Sequence, residues 1–167
     1  MTCSTTTRLC GVLTIETGFG PGAYNHTGGP GLHGLWPETG GYGTSACVPP
    51  VNTSFDQDHV RGVCAYLNDD PVFARHEWEK HGLCAGGPGP ASAFLAEACR
   101  LAAPVVARLQ DISTWEDTVT TAHTLPYPLW AVDDVDKQLL FSVCSQGDGS
   151  WNFCILKNVG MLKYNKN

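Results

Sequence analysis

The sequence predicts an α+β fold: a central antiparallel β-sheet with several helices packed on one side, stapled by disulfides, in a single domain over residues 1–167. Three observations predict it. Residues 91–109 carry the longest apolar stripe at helical spacing, and short extended runs lie near both ends of the chain, separated by Gly- and Pro-rich turns. Eight cysteines in 167 residues are an even number, suited to four disulfides in an oxidising compartment. The length suffices to bury a real core.

Taken in order, residues 8–15 read as a strand that enters a loop over 18–31, where repeated Gly and Pro forbid regular structure. Residues 32–36 form a short strand ending at Pro37, followed by a second Gly-rich loop, 39–43, that carries Tyr42. Ser54-Phe55-Asp56-Gln57 reads as a capping box, and Val60, Val63, Cys64 and Leu67 follow at helical spacing, which predicts an amphipathic helix over 55–68. Asn68, Asp69, Asp70 and Pro71 stop it and lead into a helix that carries residues 76–83. In the 91–109 stripe Pro104 should kink the helix or divide it, because proline removes a backbone donor and clashes with the preceding turn. Ser113 with Glu116 is a further capping box opening a short helix near Trp115. Residues 129–132, 139–144 and 152–157 read as strands, with 146–150 as the hairpin connection.

Charge excludes some functions. The formal net charge of −6 argues against a nucleic-acid coat protein, which needs a broad basic surface. No segment is long enough to span a bilayer. Residues 11–15 are too few for the apolar region of a signal peptide and lack a basic flank, so the chain reads as a mature form with an added Met1. Asn25-His26-Thr27 and Asn52-Thr53-Ser54 match the glycosylation acceptor pattern.

Chemistry concentrates in two segments, His33-Gly34-Leu35-Trp36-Pro37 and His76-Glu77-Trp78-Glu79-Lys80-His81-Gly82-Leu83-Cys84. Imidazole and imidazolium both populate near neutral pH, so two histidines can share general base and general acid work, while a lysine and a third imidazolium hold developing negative charge. On a helix His76, Lys80, Glu77 and His81 fall at about 0°, 40°, 100° and 140°, on one side, with Trp78 at about 200° turned toward the core. A zinc protease helix needs its histidines four apart. Here the spacing is five, which opens the imidazoles too widely for one ion, and no metal or other cofactor is expected. Alone, His76 and His81 would read as a solvated helix face; the accompanying His33 block and Cys84 weigh against that.

Together the two segments resemble the signature blocks of the T2 family of ribonucleases, secreted or vacuolar enzymes that cut single-stranded RNA. Both blocks stand in the family's order, and Phe73 lies three positions before His76, where the family has an aromatic residue. The resemblance covers about residues 30–86, with a weaker likeness around Cys144 and Cys154. It implies the same fold class and a metal-independent transesterification to a 2′,3′-cyclic phosphate. In that scheme His81 takes the 2′-proton and His33 protonates the leaving oxygen, with an exchange of the two roles between cyclisation and hydrolysis left open. Lys80 and Glu77 stabilise the pentacoordinate intermediate and His76 holds a phosphate. The implied partner is single-stranded RNA, met by a monomer with no obligate protein partner.

Eight cysteines allow 105 pairings. The hairpin makes Cys144 with Cys154 reasonable, the resemblance implies Cys47 with Cys84, and Cys3 with Cys10 and Cys64 with Cys99 are then the favoured remainder.

Trp36 and Phe73 are candidates to stack on a base and equally candidates for plain core; Tyr42 is a candidate lid for a nucleobase. His33, between apolar neighbours, would without the second block read as a buried histidine bonded to a backbone carbonyl. His26, His59 and His123 lie outside the blocks and read as ordinary residues. Ala74 stands where many members have another aromatic, the amino-terminal cysteines are arranged differently, and the chain is shorter than most members. These departures put base preference in doubt but keep all five proposed catalytic side chains. The alternatives are a storage or binding protein on the same scaffold, which would be free to lose a histidine, and an effector acting inside another cell.

Overall fold

A computed structural model describes residue 3 and residues 9–25, 28–38, 47–67 and 70–156. The expectations for the 39–43 loop with Tyr42, for Asn68 and Asp69, and for the strand beyond 156 lie outside these residues.

Among the described residues the architecture is α+β, with five strands, β1 (Cys10–Thr17), β2 (Pro30–Glu38), β3 (Leu129–Asp133), β4 (Gln138–Ser145) and β5 (Trp151–Phe153). Four helices accompany them: α1 (Gln57–Val60), α2 (Pro71–Lys80), α3 (Ala91–Leu109) and α4 (Trp115–Thr124). All pairings are antiparallel, in the order β2-β1-β4-β3, with β5 sharing the outer edge of β4 beside β3. Leu13 and Ile15 of β1, Leu32 and Leu35 of β2 and Leu139, Phe141 and Val143 of β4 form one face, buried against α2 and α3.

The alternation along β2 breaks once, and this break matters for the site. Thr14 pairs with Gly34 but Ile15 pairs with Leu32, so His33 is an extra residue on β2, a β-bulge. A strict period of two would put Leu32 and Leu35 on opposite faces. The bulge lets both enter the core and leaves His33 on the other face.

Several local expectations are corrected. The helix expected over 55–68 is a single turn, Gln57–Val60. Asp56, not Ser54, caps it, accepting from the amides of Asp58 (3.0 Å) and His59 (3.4 Å), while the Ser54 amide turns back to Asn52 Oδ1 at 2.9 Å. Gly62, in the left-handed region at φ +71°, takes the chain out of the helix. Val60, Cys64 and Leu67 still reach the core, through successive turns.

The capping residue of α4 is Thr114, which accepts from the Asp117 amide at 3.1 Å, one position later than the Ser113–Glu116 box; in this register Thr118 and Ala122 face inward. α3 is not divided at Pro104, since Leu101, Ala102, Val105 and Val106 on either side are buried and packing holds the helix together. β5 stops at Phe153, after which Cys154 bonds to Cys144 and its carbonyl accepts from Ser142 Oγ at 2.6 Å.

The structure pairs Cys3 with Cys10, Cys47 with Cys84, Cys64 with Cys99 and Cys144 with Cys154. Cys47–Cys84 and the adjoining Val48–Ala85 bridge join the chain beyond β2 to the turn that follows α2, the two elements that carry the histidine blocks. No helix among the described residues is long and apolar enough to cross a membrane.

Candidate active site

The sheet face opposite the core carries polar side chains that are just as deeply buried. Glu16 of β1 stands opposite Gln138 of β4, and Gln138 opposite Asp133 of β3, giving a polar row across three strands. All three are under 4% exposed. His33 projects over this row from its bulge. Its Nδ1 lies 2.7 Å from Gln138 Nε2 and 3.6 Å from Glu16 Oε1, and its ring is flanked by Trp36 (5.2 Å, edge-on), Phe73 (5.6 Å) and Tyr24 (6.0 Å).

The second block arrives on α2. Asp70 caps it by accepting from the Val72 amide at 2.8 Å, and Pro71 opens it, where a missing amide costs nothing. Trp78 points into the core and Glu77 turns toward β2. A side chain on Gly34 would collide with the Glu77 carboxylate and with Trp36 Nε1, so glycine at this position lets Glu77 lie directly over the strand. There Trp36 Nε1–H donates to Glu77 Oε2 at 3.1 Å, while Oε1 has no hydrogen-bond partner and faces His33 Nε2 at 3.7 Å.

The helix ends at Lys80, earlier than the sequence pattern suggested, and His81 is its C-cap at φ −124°, ψ −47°. A Cβ on Gly82 would run into the Trp78 indole, so glycine again permits the close approach. Released from the helical wheel, the His81 imidazole lies stacked on Trp36, 5.1 Å between centroids and 24° between planes.

His33, Trp36, His76, Glu77, Lys80 and His81 therefore line one cleft of about 190 Å³, although they come from different elements. His76 and Lys80 stand exposed on its wall, Glu77 is buried, and His81 is half-buried. Phe73 sits deeper than a base platform requires: it is packed against the His33 ring and the core and does not line the cleft. His59 is exposed and paired with Asp56 at 2.7 Å, and His123 is exposed on α4. Tyr24, Asp133, Asp136, Gln138 and Leu140 complete the lining. Among the described residues no three His, Cys, Asp or Glu side chains gather as metal ligands.

Burial shifts two of the ionisable groups in opposite directions. It pushes Glu77 up to about 8; the Trp36 hydrogen bond opposes this and the nearby Glu16 charge adds to it. Burial also holds His81 down at about 3, reinforced by the positive charges of His33, His76 and Lys80. At neutral pH the cleft therefore holds a carboxyl that keeps its proton, able to donate, and an imidazole that lacks one, able to accept. Two groups pushed apart in this way, with a second imidazole and a lysine alongside, are equipped for proton transfer around an anionic centre.

That chemistry matches the similarities of the chain. No protein-family model and no solved structure matches it. It is 39% identical over 79 residues to Ribonuclease 3 of Arabidopsis thaliana, covering 37% of this chain and 34% of that protein. It is 35% identical over 78 residues to Extracellular ribonuclease LE of Solanum lycopersicum, covering 37% and 33%, and 39% identical over 56 residues to a ribonuclease of Aeromonas hydrophila, covering 33% and 24%. The chain is similar to ribonucleases, as its two histidine blocks implied, and spans about a third or less of the length of these relatives.

Proposed function

We propose that the protein is an endoribonuclease of the T2 type, cutting single-stranded RNA by transesterification to a 2′,3′-cyclic phosphate without a metal ion. One observation carries the reading: His33 and His81, from separate blocks, reach the same cleft and both contact the Trp36 ring, whose indole N–H donates to the neutral Glu77.

His81, kept unprotonated, is suited to take the 2′-hydroxyl proton as that oxygen attacks phosphorus. His33 gives a proton to the departing 5′-oxygen, and the P–O5′ bond breaks. Glu77, kept protonated, donates to a nonbridging phosphoryl oxygen, and Lys80 and His76 on the cleft wall attract the phosphate. Trp36 holds the His81 ring in place and leaves its remaining edge for substrate. Four disulfides suit a secreted protein, a monomer that needs no subunit to complete the cleft. Of the two acceptor asparagines, exposed Asn52 is the better glycan site, since Asn25 Nδ2 already donates to the Gly18 carbonyl at 3.0 Å.

The test is cleavage of single-stranded RNA with EDTA present, reading the cyclic phosphate terminus. The expected results are cleavage unaffected by chelation, a bell-shaped pH–rate profile, and loss of cleavage in His33→Ala and His81→Ala. Cleavage that survives the double replacement, or that EDTA stops, would overturn the mechanism; an inert wild-type protein would return the scaffold to a binding or storage role.

A further inference from the structure

The histidine of the first block needs a partner on the ring nitrogen that faces away from the cleft, and here that nitrogen meets an unusual pair. His33 Nδ1 has Gln138 Nε2 at 2.7 Å and Glu16 Oε1 at 3.6 Å. Both are buried, from neighbouring strands whose register sets them side by side. One is an amide, which can donate or accept; the other is a carboxyl oxygen, which accepts. Resting on the proposed activity, we infer that Gln138 is a positioning residue that sets the tautomer of His33.

With the Gln138 amide donating to Nδ1, the neutral ring must carry its single proton on Nε2, the nitrogen that faces Glu77 and the cleft. When the ring gains a second proton, Nδ1–H needs an acceptor. Glu16 Oε1 is at hand, and a half-turn of the Gln138 amide presents its oxygen. The imidazolium then passes its Nε2 proton to the 5′-oxygen as the P–O5′ bond breaks, and the ring returns to neutrality with its proton on Nδ1, still held from behind. In the hydrolysis step Nε2 is thus free to accept a proton from water. The pair supports every protonation state in the cycle, where a lone carboxylate would favour the imidazolium and a lone donor the Nε2–H form.

Other titratable and charged groups stand around the ring. Glu77, His76 and Lys80 of α2, His81 beyond it, Tyr24, and Asp133 and Asp136 from the β3–β4 connection share the cleft with His33. Glu77 faces Nε2, whereas Asp133 Oδ1 accepts from the Val135 and Asp136 amides, each at 3.0 Å.

Long-range ¹H–¹⁵N spectra of the imidazole rings, at a pH where His33 is neutral, read the tautomer directly in the protein without RNA. The wild type should show the Nε2–H form. Gln138→Leu, which keeps the volume and removes the amide, leaves the Glu16 carboxyl oxygen behind the ring and should switch it to the Nδ1–H form. On a dinucleotide RNA the same variant should lose about 10- to 100-fold in kcat with KM within about twofold, taking as guide the loss seen when the outer partner of a metal-binding imidazole is removed. A wild-type ring in the Nδ1–H form, a variant ring unchanged from the wild type, or an unchanged kcat each overturns the inference; the first needs no variant to fold. A switched tautomer in a protein that cleaves no RNA supports the pairing and overturns the proposed activity instead.

Discussion

The two faces of β1 and β4 invite comparison, because the same strands supply both and the side chains of both are buried. On one face Leu13, Ile15, Leu139, Phe141 and Val143 are closed by packing. On the other, Thr14, Glu16, Gln138 and Ser142 are just as inaccessible, and Gln138 and Ser142 are held by directional hydrogen bonds to His33 and to the Cys154 carbonyl. Dispersion and apolar burial tolerate small displacements; buried polar groups lose most of their stabilisation when one partner moves. The first face therefore sets stability and, on the proposed activity, the second sets chemistry, and substitutions on the two should separate these properties.

The largest expected effect lies on the apolar face. Phe141→Ala removes a ring that is fully buried and should cost about 3–5 kcal/mol, measured by urea unfolding, with the cleft chemistry intact in the molecules that remain folded. Loss of less than half of that would mean the core is not centred here. Gly34→Ala, on the polar side, should do the opposite. Its methyl group displaces the Glu77 carboxylate, so RNA cleavage should fall about 100-fold, as misplacement of an active group by about 1 Å does, with a smaller loss of stability.

Next in size is a dependence on pH. Unfolded Glu77 releases its proton near 4.5 and folded Glu77 at about 8, so between these values the folded state binds more protons and stability falls as pH rises. His81 acts in the other sense, since it charges near 6.5 when unfolded and only at about 3 when folded, which removes stability as pH falls through that range. Stability should therefore peak in mildly acid solution. Glu77→Gln should abolish the alkaline decline, whose slope is at most about 1.4 kcal/mol per pH unit; an unchanged slope in thermal melts would locate its origin elsewhere. The smallest effect is Thr14→Val: Thr14 Oγ1 is buried with no hydrogen-bond partner, and its removal should raise stability by about 1 kcal/mol.

How much of this the amino-acid order reveals differs between the faces in the same way. The apolar stripe of α3 was legible because it repeats over five turns, and Asp70–Pro71 marked the start of α2 because a cap followed by proline has few other uses. The helix expected over 55–68 failed because Val60, Cys64 and Leu67 have helical spacing yet are brought inward by turns around Gly62, and spacing alone does not distinguish the two. The histidines, Glu77 and Lys80 announced themselves by residue type and proximity. Glu16, Tyr24, Asp133, Asp136 and Gln138 did not, since they come from three stretches of the chain, around residues 16, 24 and 133–138, that only the folded sheet brings together. One signal was present and unread: Leu32 and Leu35, three apart in a strand, cannot both face a core without a bulge, and a bulge there singles out His33 or Gly34.

That bulge has a practical consequence. Because His33 is the surplus residue of β2, it stands outside the residue-by-residue pairing of β1 with β2, and exchange of its side chain leaves the paired residues as they are. On the proposed activity, reactivity at residue 33 is a module inserted into the strand. An inert form made by exchanging this one side chain should keep the strand pairing of the parent, providing a trap in which an uncut RNA strand can be held in place.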